Sequence, residues 1–157
     1  MDIDDVAPLS LIRGTQEERR ELIKNFEKAI QTQPDVEHLT TLKHAFLDGA
    51  YFRQITIPAG VALTGKIHSQ STINMLTKGK FAIVTEFDEQ IIEAPYMYIS
   101  KPGTKKACYT ITECIFINCH TTWKTDLKEI EAEATIDAYP EIGEGEKLCL
   151  GGSQEPL

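Results

Sequence analysis

Three histidines and a glutamate, His44, His68, His120 and Glu113, are the residues with which this sequence could hold a divalent transition metal. Neutral imidazole and carboxylate are the ligands such ions take. A second set, His68, Gln70, Asn74, Lys106, Tyr109 and His120, mixes hydrogen-bond donors and acceptors with one cation. That is the chemistry of a pocket for a small anionic ligand, a carboxylate, phosphate or sugar acid. His68 paired with Tyr109 or Glu113 also offers an acid and a base, if both reach one substrate. Widely separated histidines are more often structural than ligating, so the expectation is no cofactor, with the His44, His68, His120 and Glu113 cluster as the metal alternative. Lys105 and Lys106 are adjacent, and in a strand only one of them faces inward.

The elements that must position these residues are strands. Between Ala50 and Thr122, short runs rich in β-branched and aromatic residues are separated by turn formers: Pro58-Ala-Gly60, Lys78-Gly79, Phe87-Asp-Glu89, Ala94-Pro95, Pro102-Gly103 and Thr112-Glu113. Eight runs follow: 51–57, 61–68, 73–77, 81–86, 90–93, 96–100, 105–111 and 114–121. With no helix between them they predict an antiparallel jelly roll or similar closed barrel. Tyr51, Phe52, Phe81, Tyr96, Tyr98 and Phe116 are its expected core and subunit contacts, and Trp123 is expected to cap its end.

Ahead of the strands, Thr15-Gln-Glu-Glu18 has the spacing of a capping box, and Leu22, Ile23, Phe26, Ala29 and Ile30 recur at helical spacing. These predict an amphipathic helix over 16–31, then a weaker helical turn carrying Val36, Leu39 and Leu42. After the strands, Asp126-Leu-Lys-Glu129 predicts a short helix start with Leu127 and Ile130 inward. Acidic, Gly-rich text follows Pro140. The expected organisation is a helical extension over 1–48, a barrel over 49–123, and a short helix plus acidic tail over 124–157.

Composition narrows the function classes. The 157 residues carry a net charge of −8, with nine acidic and two basic residues from Asp126 onward against fifteen and fourteen before it. General nucleic-acid binding needs clustered Lys and Arg, which this chain lacks. No run is long and apolar enough to predict a membrane span, and the acidic start Met1-Asp-Ile-Asp-Asp5 lacks the basic region of a signal peptide. Cys108, Cys114, Cys119 and Cys149 form no CxxC pair and are expected to be free thiols. No GxSxG elbow, HExxH, phosphate loop or dinucleotide fingerprint is present, so the reading leans away from an enzyme.

In order and spacing, Pro58-Ala-Gly60, Gly65-Lys-Ile-His68, Ala94-Pro95, Pro102-Gly-Thr-Lys105 and Cys119-His-Thr-Thr122 resemble the cupin superfamily, and more narrowly the small single-domain cupin-like proteins of tailed bacteriophages. The resemblance implies a mainly β, cupin-like antiparallel jelly-roll barrel, here with the N-terminal amphipathic helix, short C-terminal helix and acidic tail added. In metal-binding cupins two histidines and a glutamate of a first motif and a histidine of a second gather around one ion. In this chain His68 stands at the first position, Gln70 at the second, Asn74 near the third and Lys106 at the fourth. The expectation is therefore a non-catalytic phage protein serving binding or assembly, as a virion component or host-interaction factor. It is expected to form a homo-oligomer through the N-terminal helix and acidic tail, to contact other virion or host proteins, and to reside in the host cytoplasm or the virion. The alternatives are a metal-dependent cupin enzyme with a diverged ligand set and a small-molecule sequestering or sensing protein.

Overall fold

A computed structural model describes residues 14–31, 36–87 and 89–139. The acidic tail beyond Pro140, with Cys149, lies outside the described residues. The chain runs through helix α1 (Gln16–Ile30), a single 3-10 turn (Val36–Leu39), and strands β1 (Thr41–Leu47), β2 (Ala50–Ile57), β3 (Ala62–Thr64), β4 (Ile67–His68) and β5 (Thr72–Lys78). It continues with β6 (Lys80–Val84), β7 (Glu89–Glu93), β8 (Tyr96–Ser100), β9 (Ala107–Thr110), β10 (Cys114–Thr121), helix α2 (Leu127–Ala134) and β11 (Thr135–Ile136). A five-stranded sheet in the order β1-β2-β10-β5-β8 faces a four-stranded sheet in the order β3-β9-β6-β7, and β11 pairs with β4. Every pairing is antiparallel.

Alternation along the strands builds the core. Leu76, Phe81, Ile83, Ile92, Tyr98 and Cys114 meet between the two sheets, with Phe81 edge-on to Phe116, and Ile55, Ile57 and Val61 close one end. The opposite face of the four-stranded sheet is covered by α1. Thr15 caps this helix as its sequence predicts: its hydroxyl accepts from the Glu18 amide, while the Glu18 carboxylate accepts from the Thr15 amide at 2.7 Å. Ile23, fully buried, packs with Phe26 against Ala82, Val84 and Ala107. Charged contacts pin the helix as well. Glu27 accepts from Lys105 at 2.7 Å and from the Thr64 hydroxyl at 3.1 Å. Arg20 lies 3.8 Å from Glu86 and stacks over the Tyr139 ring. Burial pushes the Glu86 carboxyl up to about 7.

Several expectations are corrected. The segment assigned to a helical extension over 1–48 contains β1, which pairs residue for residue with β2, so the sheet begins at Thr41. Strand β1 is an edge exposed on both faces, so burial imposes no alternating pattern on it. The single run expected over 61–68 breaks into β3 and β4 at Gly65 and Lys66. In α2, capped by Asp126, Ile130 is buried but Leu127 is exposed, and Trp123 is 80% exposed rather than covering the barrel end. Cys108, Cys114 and Cys119 are free, and among the described residues no helix is long and apolar enough to cross a membrane.

The β5–β6 turn depends on Gly79. Its φ is +91°, and a Cβ there would run into the Glu113 carbonyl and the Cys114 sulfur. Gly79→Ala is expected to destabilise the fold by roughly 1–3 kcal/mol, because backbone strain and a clash with main chain coincide. Urea denaturation of the purified variant checks this, and an unchanged midpoint contradicts it.

Candidate functional site

The inward face of the five-stranded sheet changes character along its length. Near one end, Ile55, Phe116 and Leu76 lie side by side on β2, β10 and β5. One step further, Arg53 lies opposite Asn118, Asn118 opposite Asn74, and Asn74 opposite Tyr98. In the next row His120 lies opposite Tyr51, and Thr72 opposite Ser100. From the facing sheet, Lys106 enters this polar end just before β9, and His68 reaches it from β4.

Lys106 and its neighbours form a closed network. The Lys106 ammonium donates to Asn74 Oδ1 at 2.9 Å and to Ser100 Oγ at 3.1 Å, and lies 5.7 Å above the Tyr98 ring centroid. Asn118 donates to the same Asn74 Oδ1 at 2.8 Å. The Asn74 amide nitrogen donates to the Thr72 carbonyl at 2.8 Å and to Ser100 Oγ at 3.1 Å, which fixes the amide's orientation. Burial pulls Lys106 down to about 8. Burial likewise pushes the adjacent Cys108 thiol up to about 12, so near neutral pH it is a neutral thiol and no thiolate balances the lysine.

The histidines beside it are held neutral. His68 Nδ1 lies 3.0 Å from the Thr72 hydroxyl, and burial, aided by the charges of Lys106 and Arg53, drops its pKa to about 3. The His120 ring stands edge-on to His68 at 5.1 Å and is shifted the same way by burial, Lys106 and Arg53. His120 Nδ1 is buried without a hydrogen-bond partner. Tyr51 stacks on His120, and its hydroxyl lies 2.8 Å from His44 Nδ1.

Of the six pocket candidates, the structure gathers His68, Asn74, Lys106 and His120. Gln70 sits at the rim, where it accepts from the Thr121 hydroxyl at 3.4 Å. Tyr109 is directed to the outer side of its sheet, against the cluster around Ile23 beneath α1. The two lysines, just ahead of β9, also diverge: Lys105 goes outward to Glu27 and Lys106 inward. The metal cluster does not assemble. Glu113 is exposed and paired with Lys78 at 2.6 Å, and His44 is separated from His120 by the Tyr51 ring. Among the described residues, no group of three or more His, Cys, Asp or Glu is arranged to hold a metal ion.

The donors actually present do not fit a metal either. Asn74 Oδ1 already accepts two hydrogen bonds, and the buried ammonium beside it would repel a divalent ion. Sequence reasoning missed Arg53, Asn118, Ser100 and Thr72. The signal was parity: Arg53 is two residues from the core position Ile55, Asn118 two from His120, and Thr72 two from Asn74.

No family model and no curated protein matches the sequence. Solved structures do. KdgF from Halomonas sp. is 14% identical, with 59% of this chain and 88% of that chain covered at a TM-score of 0.50. Salicylate 1,2-dioxygenase from Pseudoaminobacter salicylatoxidans, in adducts with gentisate, is 13% identical over 71% of this chain and 33% of that chain, also at 0.50. An RmlC-like cupin from Shewanella frigidimarina is 15% identical over 55% of this chain and 79% of that chain, at 0.48. At these identities the two likenesses at a TM-score of 0.50 show the fold alone, a cupin-like β-sandwich.

Because His68 is protonated far more readily in the unfolded chain than in the folded one, its contribution to stability is fully present above pH 6.5 and is lost as pH falls toward 3. The slope approaches ~1.4 kcal/mol per pH unit inside that window. His68→Gln is expected to flatten the fall in stability between these pH values; His120, shifted the same way, adds to the fall, and Glu86, whose carboxyl is raised, opposes it. Urea titrations at several pH values check it, and an unchanged slope contradicts it.

Proposed function

We propose that this chain is a non-catalytic binding protein whose cupin barrel takes up a small anion, a carboxylate or phosphate, at its polar end. The observation that carries the reading is a charge imbalance. Lys106 and Arg53 both bring positive charge to a largely buried site, and among the described residues no Asp or Glu hydrogen-bonds or ion-pairs with either. Glu131, whose charge reaches Tyr51, is bonded instead to Lys66. Neutral His120 and the amide of Asn118 add polar atoms at fixed positions. An anion entering here meets two cations in a medium where charge is poorly screened.

Against catalysis stands the loss of the acid–base partners. Tyr109 and Glu113 lie elsewhere, and His68, with a pKa of about 3, is too weak a base for proton transfer near neutral pH. A virion component or host-interaction factor, as the phage resemblance implies, remains the biological setting we propose for such a binding barrel.

We further propose that the barrel works as a homo-oligomer joined by the outer face of its five-stranded sheet; Ile23 and Phe26 of α1 are already packed on their own barrel, while Leu22 stays exposed. The register places Ile73, Met75, Met97, Ile99, Ile117 and Cys119 on adjoining outward positions of β5, β8 and β10. Ile73, Met97 and Ile99 are exposed. For a chain of net charge −8, an uncharged patch is where a second copy can approach without like-charge repulsion, and an isologous contact needs only self-complementarity.

Isothermal titration with phosphate and with small mono- and dicarboxylates tests the anion site. Arg53→Met is expected to weaken binding about tenfold or more, a loss of ~1.4 kcal/mol. Affinity is also expected to fall as pH rises through about 8, where the Lys106 ammonium is lost. Binding indifferent to both Arg53 and pH contradicts the proposal. For the oligomer, light scattering after size exclusion is expected to show a dimer that Ile99→Glu converts to a folded monomer; a wild-type monomer contradicts it.

A further inference from the structure

We propose that the Lys106 ammonium is the barrel's resident cation, occupying the place in which the cupin resemblance puts a metal ion, and that this one side chain bars divalent metals from the site. The inference concerns the same polar end as the anion reading but does not require the anion. Its ground is where the four resemblance positions come to lie. Positions 68, 74 and 106 converge inside the barrel, while Gln70 is at the rim.

At the convergence the donors are matched to an ammonium. Asn74 Oδ1 and Ser100 Oγ accept two of its protons, and the face of Tyr98 lies beneath it. Lys106 is 7% exposed, Asn74 0% and Ser100 2%, so the cation is held by protein groups and not by bulk water. A metal would need lone pairs where this network directs N–H bonds. Asn74 Oδ1 is engaged twice, and the Asn74 amide nitrogen is oriented toward the Thr72 carbonyl and Ser100.

Two ligands are nonetheless ready. The rings of His68 and His120 are 5.1 Å apart, and His120 Nδ1 has no hydrogen-bond partner among the described residues. Once the ammonium is gone and a carboxylate stands at position 74, these two rings are joined by further donors from the neighbouring row of the same inward face.

Two measurements test this, neither of them an activity. In the first, Lys106→Ala vacates the ammonium's volume while leaving its acceptors in place. Added methylammonium or ethylammonium is expected to raise the melting temperature of this variant by several degrees and leave wild type unchanged, whereas tetramethylammonium, which has no N–H to donate, has no effect. In the second, the Asn74→Asp/Lys106→His double variant is loaded with zinc or nickel, desalted and assayed by elemental analysis. About one equivalent per chain is expected to be retained by the double variant and none by wild type. Stoichiometric metal retained by wild type overturns the proposal. So does a folded Lys106→Ala protein indifferent to alkylammonium. If the double variant does not fold, the alkylammonium result decides alone. Loss of phosphate or carboxylate binding, measured separately, bears on the anion reading and leaves this one standing.

Discussion

A positive charge buried with no carboxylate partner among the described residues is the constraint around which the polar end of this barrel is arranged. Isolating an ammonium from water carries a penalty of several kcal/mol unless its protons are satisfied. Lys106 meets that demand with neutral oxygens and an aromatic face. The consequences spread outward through hydrogen-bond polarity. Asn74 must present its carbonyl to the lysine, so its amide nitrogen turns to Thr72 and Ser100. Asn118 can then also donate to the same carbonyl. Burial first, and then the charges of Lys106 and Arg53, keep both nearby imidazoles neutral. A single residue type at position 106 thereby sets the orientation of the amides and hydroxyl hydrogen-bonded around it.

The two outer faces of the sandwich are treated differently, and that difference shapes where the chain can meet another molecule. The four-stranded sheet is already covered, because Ile23 and Phe26 of α1 supply the apolar partner that Ala82, Val84 and Ala107 need. Lys105, directed to this side, becomes a tether for the same helix through Glu27. Among the described residues the five-stranded sheet has no such cover, and its outward side chains on β5 and β8 are apolar yet exposed. Helix α1 and the Lys105–Glu27 contact therefore settle one face, and the uncharged face is the one on which we propose that a second copy docks.

Much of the architecture was legible in the sequence because its signals were local. Thr15 and Glu18 announce a helix start by spacing alone, and Gly79 or Pro102-Gly103 mark turns that few other residues tolerate. What was not legible needed knowledge of a partner element. Strand β1 has both faces exposed, so Leu42, Phe46 and Leu47 follow no burial period and the sequence alone places them in the helical extension. Tyr109 has the chemistry of a pocket residue, and only the docking of α1 shows why an aromatic is used on the outer face. Arg53 was passed over because a cation in a strand is ordinarily solvent-facing. Counting parity from Ile55 would have turned it inward.

The same network also shows how inward positions that the cupin resemblance assigns to metal ligands can carry a different chemistry. The fold fixes where the inward positions at 68, 74 and 106 converge, but not what charge they enclose. A site ringed by anionic and imidazole lone pairs attracts a cation. For a site that already contains a cation, with Arg53 beside it, we propose the opposite preference. His68 illustrates the change. Its environment keeps it deprotonated, as a metal ligand must be, yet the side chain at position 106 has made a metal unwelcome. On this argument the residue that decides what the barrel admits is not the histidine that resembles the family motif. It is the lysine that departs from it.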